Sequence, residues 1–334
     1  MCGWRATRAA LVTGLVLAAP LRASQTVTER ARRYTGWLLT ANVDSLWPVL
    51  SPEMREAANG RDGLVAFAKS IQQEDGRPTA VLTEFVVPVG PYQQYTERAQ
   101  FDRTAAVMVI QWSLDSNGIV SGALVRPEQP PAPSAYLDYR TKTPLRLPFD
   151  GRWLVAWGGR STTENQHAIA PDQRYAYDLL VLDSGRTHRA AGATNEDYFC
   201  WGHPVLAPGA GTIAVARDET ADNVPGIMNP ASPPGNFVMI DHGNGEYSLV
   251  AHLQHGSVRV HAGERVTAGQ LLGLCGNSGN ASEPHVHYHL QTGSTFGAGQ
   301  GLPAQFLRYR ADGVQVERGE PRRGQVVEPE ASPR

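Results

Sequence analysis

Along residues 26–75 apolar side chains recur at intervals of three and four. Ala31, Tyr34, Leu38 and Ala41 form one such set, and Leu64, Phe67, Ala68 and Ile71 another. That spacing predicts amphipathic helices. Thr26-Val27-Thr28-Glu29 reads as a capping box for the first helix. Ser51-Pro52-Glu53 reads as a second start, with serine as cap and proline in the first turn. Asp62 opens a third. Beyond residue 80 the pattern changes to strands, at 80–87, 94–101, 104–114 and 119–125. Asp115-Ser116-Asn117-Gly118 joins the last two as a hairpin turn. Helices followed by an antiparallel sheet predict an α+β unit over residues 25–127.

Arg126-Pro127-Glu128-Gln129-Pro130-Pro131-Ala132-Pro133 then places four prolines in eight residues. Such a run is stiff and extended, so residues 128–139 read as a linker. From about residue 140 the text is all β: short apolar runs between Gly, Asn and Pro. Residues 204–206 and 211–216 flank Ala207-Pro208-Gly209-Ala210. Residues 236–241 and 246–252 flank His242-Gly243-Asn244-Gly245, a favourable hairpin turn. Residues 217–235 form a long Pro-rich insertion, which on a compact sheet is often the rim or lid of a cleft. The polar, charged stretch 313–334 reads as a loosely held tail. The fold expected is thus multidomain: an N-terminal α+β unit, and over residues 140–312 an all-β antiparallel domain.

The chain has 334 residues, 41% of them hydrophobic and 19% charged, which describes a globular protein. Its net charge of −2 gives no reason to expect a nucleic-acid partner. The beginning resembles an export signal. Arg5 and Arg8 precede a short apolar run from Ala9 to Leu21, and Ala23 precedes a plausible cleavage point. Residues 1–23 are therefore read as a signal peptide, too short in its apolar part to span a membrane comfortably. Its loss removes Arg5, Arg8 and Arg22 and leaves a net charge of −5. No membrane span is expected after cleavage, and the mature protein is expected to be exported, periplasmic or extracellular. Of three cysteines, Cys2 goes with the signal. Cys200 and Cys275 remain as a pair, for which a disulfide is the default in an oxidising compartment and two buried thiols the alternative.

Ten histidines all lie at or after His167. The segment Glu283-Pro284-His285-Val286-His287-Tyr288-His289-Leu290 places three at every second position. On a strand, His285, His287 and His289 share one face and Val286, Tyr288 and Leu290 the other. A packed core rarely holds three imidazoles in a row, whereas a transition-metal site does. His188, His203, His242, His255 and His261 read as ordinary surface or hydrogen-bonded residues.

The elements from about Trp157 to Leu307, in this order, resemble a lysostaphin-type (LytM-like) zinc metallopeptidase domain. The phrases that carry the resemblance are Gly202-His203-Pro204-Val205-Leu206-Ala207-Pro208, Val238-Met239-Ile240-Asp241-His242-Gly243, Tyr247-Ser248-Leu249-Val250-Ala251-His252-Leu253, Val266-Thr267-Ala268-Gly269-Gln270, the turn Gly276 to Gly279, and Pro284-His285-Val286-His287. The resemblance implies one zinc ion held by one His and one Asp of an N-terminal motif and by the second His of the HxH. On this chain these are His167, Asp178 and His287. The usual motif has its His and Asp four apart; here they are eleven apart, and Asp172 is the runner-up to Asp178. Asp178 is preferred because it opens a strand, which holds a ligand more rigidly than a loop. The family also places two histidines that are not ligands beside the metal, and His252 and His285 match them. His289 is assigned a supporting or packing role behind the ligands. Asn277 and Ser278 shape the turn before the histidine strand.

The implied function is an exported zinc endopeptidase that hydrolyses amide bonds in the stems or cross-links of peptidoglycan. Peptidoglycan peptides are then its partners. The N-terminal unit resembles the small cone-shaped domains of the nuclear-transport-factor-like (cystatin-like) superfamily, which implies that it positions the enzyme, occludes its cleft or binds a protein partner. Two other readings stand beside this one: a catalytically inactive wall-binding regulator of another hydrolase, and a zinc peptidase acting on proteins.

Overall fold

The computed structural model describes residues 19–89 and 92–330. Most of the export-signal reading falls on residues 1–18 and so lies outside the described residues. No helix among the described residues is long and apolar enough to cross a membrane.

The chain opens with helices α1 (Ala19–Leu39), α2 (Val43–Leu46), α3 (Pro52–Ala57) and α4 (Gly60–Glu74). A four-stranded antiparallel sheet follows, β1 (Pro78–Val89), β2 (Tyr92–Phe101), β3 (Val107–Leu114) and β4 (Val120–Pro127), paired in sequence order. Ser51 caps α3 as its sequence predicts, its Oγ accepting the Met54 amide at 3.2 Å. The Asp115 carboxylate accepts the amides of Asn117 and Ile119, which closes the hairpin turn. The start of α1 differs from expectation. The backbone is already helical at Ala19, so Thr26 lies inside the helix and does not cap it. The helices lay Tyr34, Leu38, Leu64, Ala68 and Ile71 onto Tyr95, Ile110 and Trp112 of the sheet. The buried Trp112 indole N–H donates to Thr35 Oγ1 at 2.9 Å, so the one polar atom of that ring is satisfied.

The second unit is built of strands: β5 (Trp153–Trp157), β6 (Tyr177–Leu180), β7 (Pro204–Leu206), β8 (Gly211–Arg217), β9 (Asn236–Asp241), β10 (Tyr247–Leu253), β11 (Arg265–Val266), β12 (Leu271–Leu274), β13 (Val286–Gln291), β14 (Gly301–Leu302), β15 (Phe306–Ala311), β16 (Val314–Gly319) and β17 (Val326–Pro329). Eleven of them form one sheet in the order β11-β8-β9-β10-β13-β6-β5-β17-β15-β16, with β14 pairing on β13; β7 and β12 pair separately. β13 thus runs through the middle, between β10 and β6. Period-two alternation sends Val286, Tyr288 and Leu290 into a core with Tyr177, Leu179 and Val250. Cys200 and Cys275 are disulfide-bonded, Cα atoms 6.0 Å apart, and tie β12 to the segment ahead of β7.

Three segments are more ordered than their composition suggests. The tail expected from residue 313 forms β16 and β17 as far as Pro329. β17 fills the place between β15 and β5, and Val327 is fully buried there. β16 is an edge strand whose side chains face mostly outward, so its sequence is polar although its backbone is paired. The linker is strapped down. Glu128 takes a bidentate contact from Arg98 and the Thr163 amide, and the Ala132 amide donates to the Ala168 carbonyl at 2.8 Å. The insertion 217–235 is held by its aspartates: Asp218 accepts the amides of Gly256 and Val258, and Asp222 those of His255 and Asn277.

Candidate metal centre

A cleft of ≈ 550 Å³ opens over the middle of the sheet, and His167, Asp178, His252 and His285 line it. β13 and β6 carry its floor. His287 and Asp178 are cross-strand partners in their antiparallel pairing, so their side chains leave the sheet side by side. His287 Nδ1 lies 3.0 Å from Asp178 Oδ1.

His167 reaches the same carboxylate from outside the sheet. It sits in a single 3₁₀ turn, Gln166–Ile169. The Asn165 side chain organises that turn. Its Oδ1 accepts the His167 amide at 3.0 Å, and its amide nitrogen donates to the carbonyls of Gly159 and Arg174 at 3.3 and 3.1 Å. One fully buried residue therefore closes the loop that separates His167 from Asp178. This is how a spacing of eleven returns to a common point. His167 Nε2 ends 2.9 Å from Asp178 Oδ2, and Gln166 Nε2 donates to the same oxygen at 3.3 Å. Asp172 points elsewhere: its carboxylate accepts the Gly297 amide.

One ligand atom from each of His167, Asp178 and His287 lies within 4.8 Å of the others. Two imidazole nitrogens and a carboxylate are a donor set suited to zinc. In a tetrahedral site with bonds of ~2.0–2.1 Å, donor atoms are roughly 3.3 Å apart. His167 Nε2 lies 2.9 Å from Asp178 Oδ2 and His287 Nδ1 3.0 Å from Asp178 Oδ1, so each imidazole is within a few tenths of an ångström of that from one of the two carboxylate oxygens. The three residues fit the ion.

Two more imidazoles flank these. His252 closes β10 at a bulge in the β9–β10 pairing, with φ at +61°, a conformation uncommon for residues other than glycine. Its own amide donates to Pro234 O and its carbonyl accepts from Gly276, which holds the kink from both sides. Gly235 and Gly279 let the insertion and the turn meet behind it. A Cβ on Gly235 would come within 2.5 Å of Ser278 backbone atoms. His252 Nδ1 donates to the Ser278 carbonyl at 2.8 Å, and His285 Nδ1 donates to the Glu283 carbonyl at 2.8 Å. Since a carbonyl only accepts, the hydrogen of each neutral ring sits on Nδ1 and Nε2 is bare. The two rings are 4.7 Å apart, and His285 Nε2 is 3.7 Å from Asp178 Oδ1.

The electrostatics follow from burial and from one carboxylate among imidazoles. Burial alone would raise the Asp178 pKa. The charges of His167 and His285, with hydrogen bonds from His167 and His287, overcome it and hold the group well below the usual range. Burial opposes charge on His167, but Asp178 outweighs it and raises that pKa above its ordinary value. Burial pushes His287 down despite its bond to Asp178. Burial, reinforced by His285 and His287, pushes His252 well below the ordinary value. His289 is likewise depressed by burial and by His287.

The structure brings together His167, Asp178, His252, His285 and His287. His289 lies behind His287, 2.9 Å from His287 Nε2 to His289 Nδ1. Residues 165 and 291 were not singled out by sequence reasoning. Gln291 continues the alternation of the histidine row by one more step, and that periodicity was a signal that could have found it. Asn165 has no comparable signal; only the folded loop shows what it bridges. Of the remaining histidines, His242 is half-buried at a hairpin, 2.7 Å from Ala210 O and 2.8 Å from Ser248 Oγ.

Residues 196–298 match the profile of peptidase family M23, so the chain carries an M23 peptidase domain there. His167 and Asp178 lie ahead of that stretch, and His252, His285 and His287 within it. Peptidoglycan DD-endopeptidase ShyA of Vibrio cholerae is 35% identical over 89 residues, 27% of this chain and 17% of that protein. An uncharacterized metalloprotease of Haemophilus influenzae is 33% identical over 144 residues, 42% of this chain and 27% of its own length. The DD-carboxypeptidase/endopeptidase Mpg of Neisseria meningitidis is 38% identical over 69 residues, 21% of this chain and 15% of that protein. The matches thus span about a quarter or less of these relatives.

Proposed function

We propose that this chain is an exported zinc endopeptidase that hydrolyses peptide amide bonds in the stems or cross-links of bacterial peptidoglycan. One observation carries the reading: His167, Asp178 and His287 converge in a cleft that also presents the bare Nε2 atoms of His252 and His285. The wall substrate is supported by the names of relatives that share part of the chain.

His167, Asp178 and His287 would hold the ion. When bound, zinc supplies Lewis acidity, acidifying water to a pKa of ~7 and polarising the scissile carbonyl. The remaining work falls to side chains of this chain. The depressed pKa of His252 keeps it neutral at neutral pH, with Nδ1 committed to Ser278 and the Nε2 lone pair facing the cleft. It is placed to accept the proton that attacking water releases and to return it to the leaving amine. His285 stands beside it, ring centroids 4.7 Å apart, with its Nδ1 committed to the Glu283 carbonyl and its Nε2 turned to the same cleft, and is placed to steady the group that reacts there. Asp178 would bring the one negative charge among the ion's three protein ligands. The N-terminal helix-and-sheet unit, read as a cystatin-like module, positions the enzyme, covers its cleft or binds a protein partner.

The test is digestion of purified sacculi by the full chain with and without added zinc. Soluble muropeptides that appear only with zinc, and that vanish with a chelator, are the expected result. Cleaved casein with intact sacculi would instead make it a peptidase of proteins. Retained sacculus binding without turnover would make it a regulator.

A further inference from the structure

The cleft holds one carboxylate that the metal chemistry leaves unused. Glu283 lines it beside His285, half-buried, and is not among the three residues whose donor atoms converge. Its Oε2 accepts the Thr187 hydroxyl at 3.1 Å. Thr187 is itself held in the loop between β6 and β7, where its carbonyl accepts the Phe199 amide at 3.0 Å. The backbone of Glu283 is tied as well. Its carbonyl accepts His285 Nδ1 at 2.8 Å, and Pro284 after it disfavours helical geometry. Contacts on both sides therefore aim the carboxylate.

What Glu283 lacks is a counter-charge. Among the described residues no lysine or arginine forms an ion pair with it, and none lines the cleft. The cationic influence on it comes from the imidazoles of His285 and His188, and burial raises its pKa above the ordinary value in spite of them. A carboxylate drawn out of water without a partner costs free energy, and a cation entering the cleft would recover it. One carboxylate beside one hydroxyl offers too few oxygens for calcium, which takes roughly six to eight. It suits an ammonium group, whose N–H donors each need a single acceptor. Position adds to charge. Two residues of chain reach at most about 7 Å, so Glu283 stands within about one residue's length of His285.

We propose that Glu283 is a specificity-determining residue that binds an ammonium group of the substrate peptide, carried next to the scissile amide. This assignment rests on the endopeptidase activity proposed above. The ammonium belongs either to the side chain of a diamino acid or to a free amino terminus. Thr187 keeps the carboxylate turned to it, and the absence of lysine and arginine from the lining leaves the place open to a cation from the substrate.

The test compares three forms of purified sacculi as substrates of the zinc-loaded full chain: untreated, acetylated on their amino groups, and reductively methylated there. Acetylation removes the positive charge, whereas methylation keeps it. Wild type should release muropeptides from acetylated sacculi about 10–100-fold more slowly at limiting substrate, and from methylated sacculi within about threefold of the untreated rate. Glu283→Gln removes the charge and can still accept from Thr187 through its amide oxygen. It should be slower than wild type by a similar factor on untreated sacculi, and indifferent to acetylation. Synthetic wall peptides acetylated only on a side-chain amine or only at the amino terminus show which ammonium is bound, since only one of the two should lose turnover. Equal wild-type rates on untreated and acetylated sacculi would overturn the proposal without any variant having to fold. So would a Glu283→Gln protein that loses the same factor on both forms, the mark of a merely structural role. Untreated sacculi left intact by a wild type carrying one equivalent of zinc would sink the endopeptidase reading itself, and this subsite with it.

Discussion

His252 adopts a left-handed backbone conformation, and the structure surrounds it with the contacts needed to keep it there. Such conformations cost free energy and concentrate where a side chain must be aimed. Here the kink directs an imidazole into the cleft. His252→Ala and His285→Ala should each lower the turnover of sacculi about 10²–10⁴-fold while leaving bound zinc intact, measured as kcat beside metal content. Zinc lost together with activity in His285→Ala would make that residue a ligand. At this scale much was legible in advance. Three histidines at alternate positions predict a shared face on a strand, and a strand is what forms. The choice of Asp178 over Asp172 followed from strand against loop, and the carboxylate that meets the imidazoles is the one on β6. The aim of His252 was not legible. It depends on a bulge, and a bulge depends on strand register.

The elements divide along similar lines. Hairpins with Asn-Gly or Asp-rich turns and the helix capped at Ser51 follow from local chemistry, and they appear near their expected bounds. The tail does not. Val314 to Gly319 lies at a sheet edge and reads as polar, and β17 presents only four residues. β17 pairs with β5, more than a hundred residues back, and no local pattern reports that; β16 pairs with neighbouring β15 across Asp312-Gly313, a two-residue hairpin turn that the polar composition masked. The loop between His167 and Asp178 is another long-range construction, closed by Asn165. Asn165→Ala would leave the Gly159 carbonyl and the buried Arg174 carbonyl without this partner. A loss of about 1–3 kcal/mol in denaturant unfolding is expected, together with weaker zinc binding as His167 loses its turn. Unchanged zinc affinity would show that His167 is held by other contacts.

Among the described residues, beside a smaller cluster around Met239, Leu249 and Ala251, two large apolar cores are assembled, one under α1–α4 and β1–β4 and one under the large sheet. Arg323 connects them. Its guanidinium lies 3.6 Å from the Trp157 ring at the cleft wall, 5.0 Å from Phe85 of the first sheet, and donates to Gln94 at 3.3 Å. Burial pushes its pKa down to about 9. The buried histidines of the second unit give stability a defined pH dependence. Burial lowers the folded pKa of His242, His252, His287 and His289, so the unfolded chain takes up more protons as pH falls through about 6.5. Their contribution is present above that pH and is lost on acidification towards their folded values. His167, with a raised pKa, acts in the opposite direction, its contribution lost as pH rises. The metal-free protein should therefore melt a few degrees lower at pH 5.5 than at pH 7.5, and His242→Gln should reduce that difference. A melting temperature that rises on acidification would contradict the assignment of neutral buried imidazoles.

The most direct measurement is the zinc content of the purified full-length chain, by elemental analysis after loading and exhaustive dialysis. One equivalent in the wild type and in His252→Ala, with almost none in Asp178→Ala or His287→Ala, is the result expected of a single ion gripped by His167, Asp178 and His287. Equal zinc in the wild type and in Asp178→Ala would show that the ion, if one is held at all, is held somewhere else.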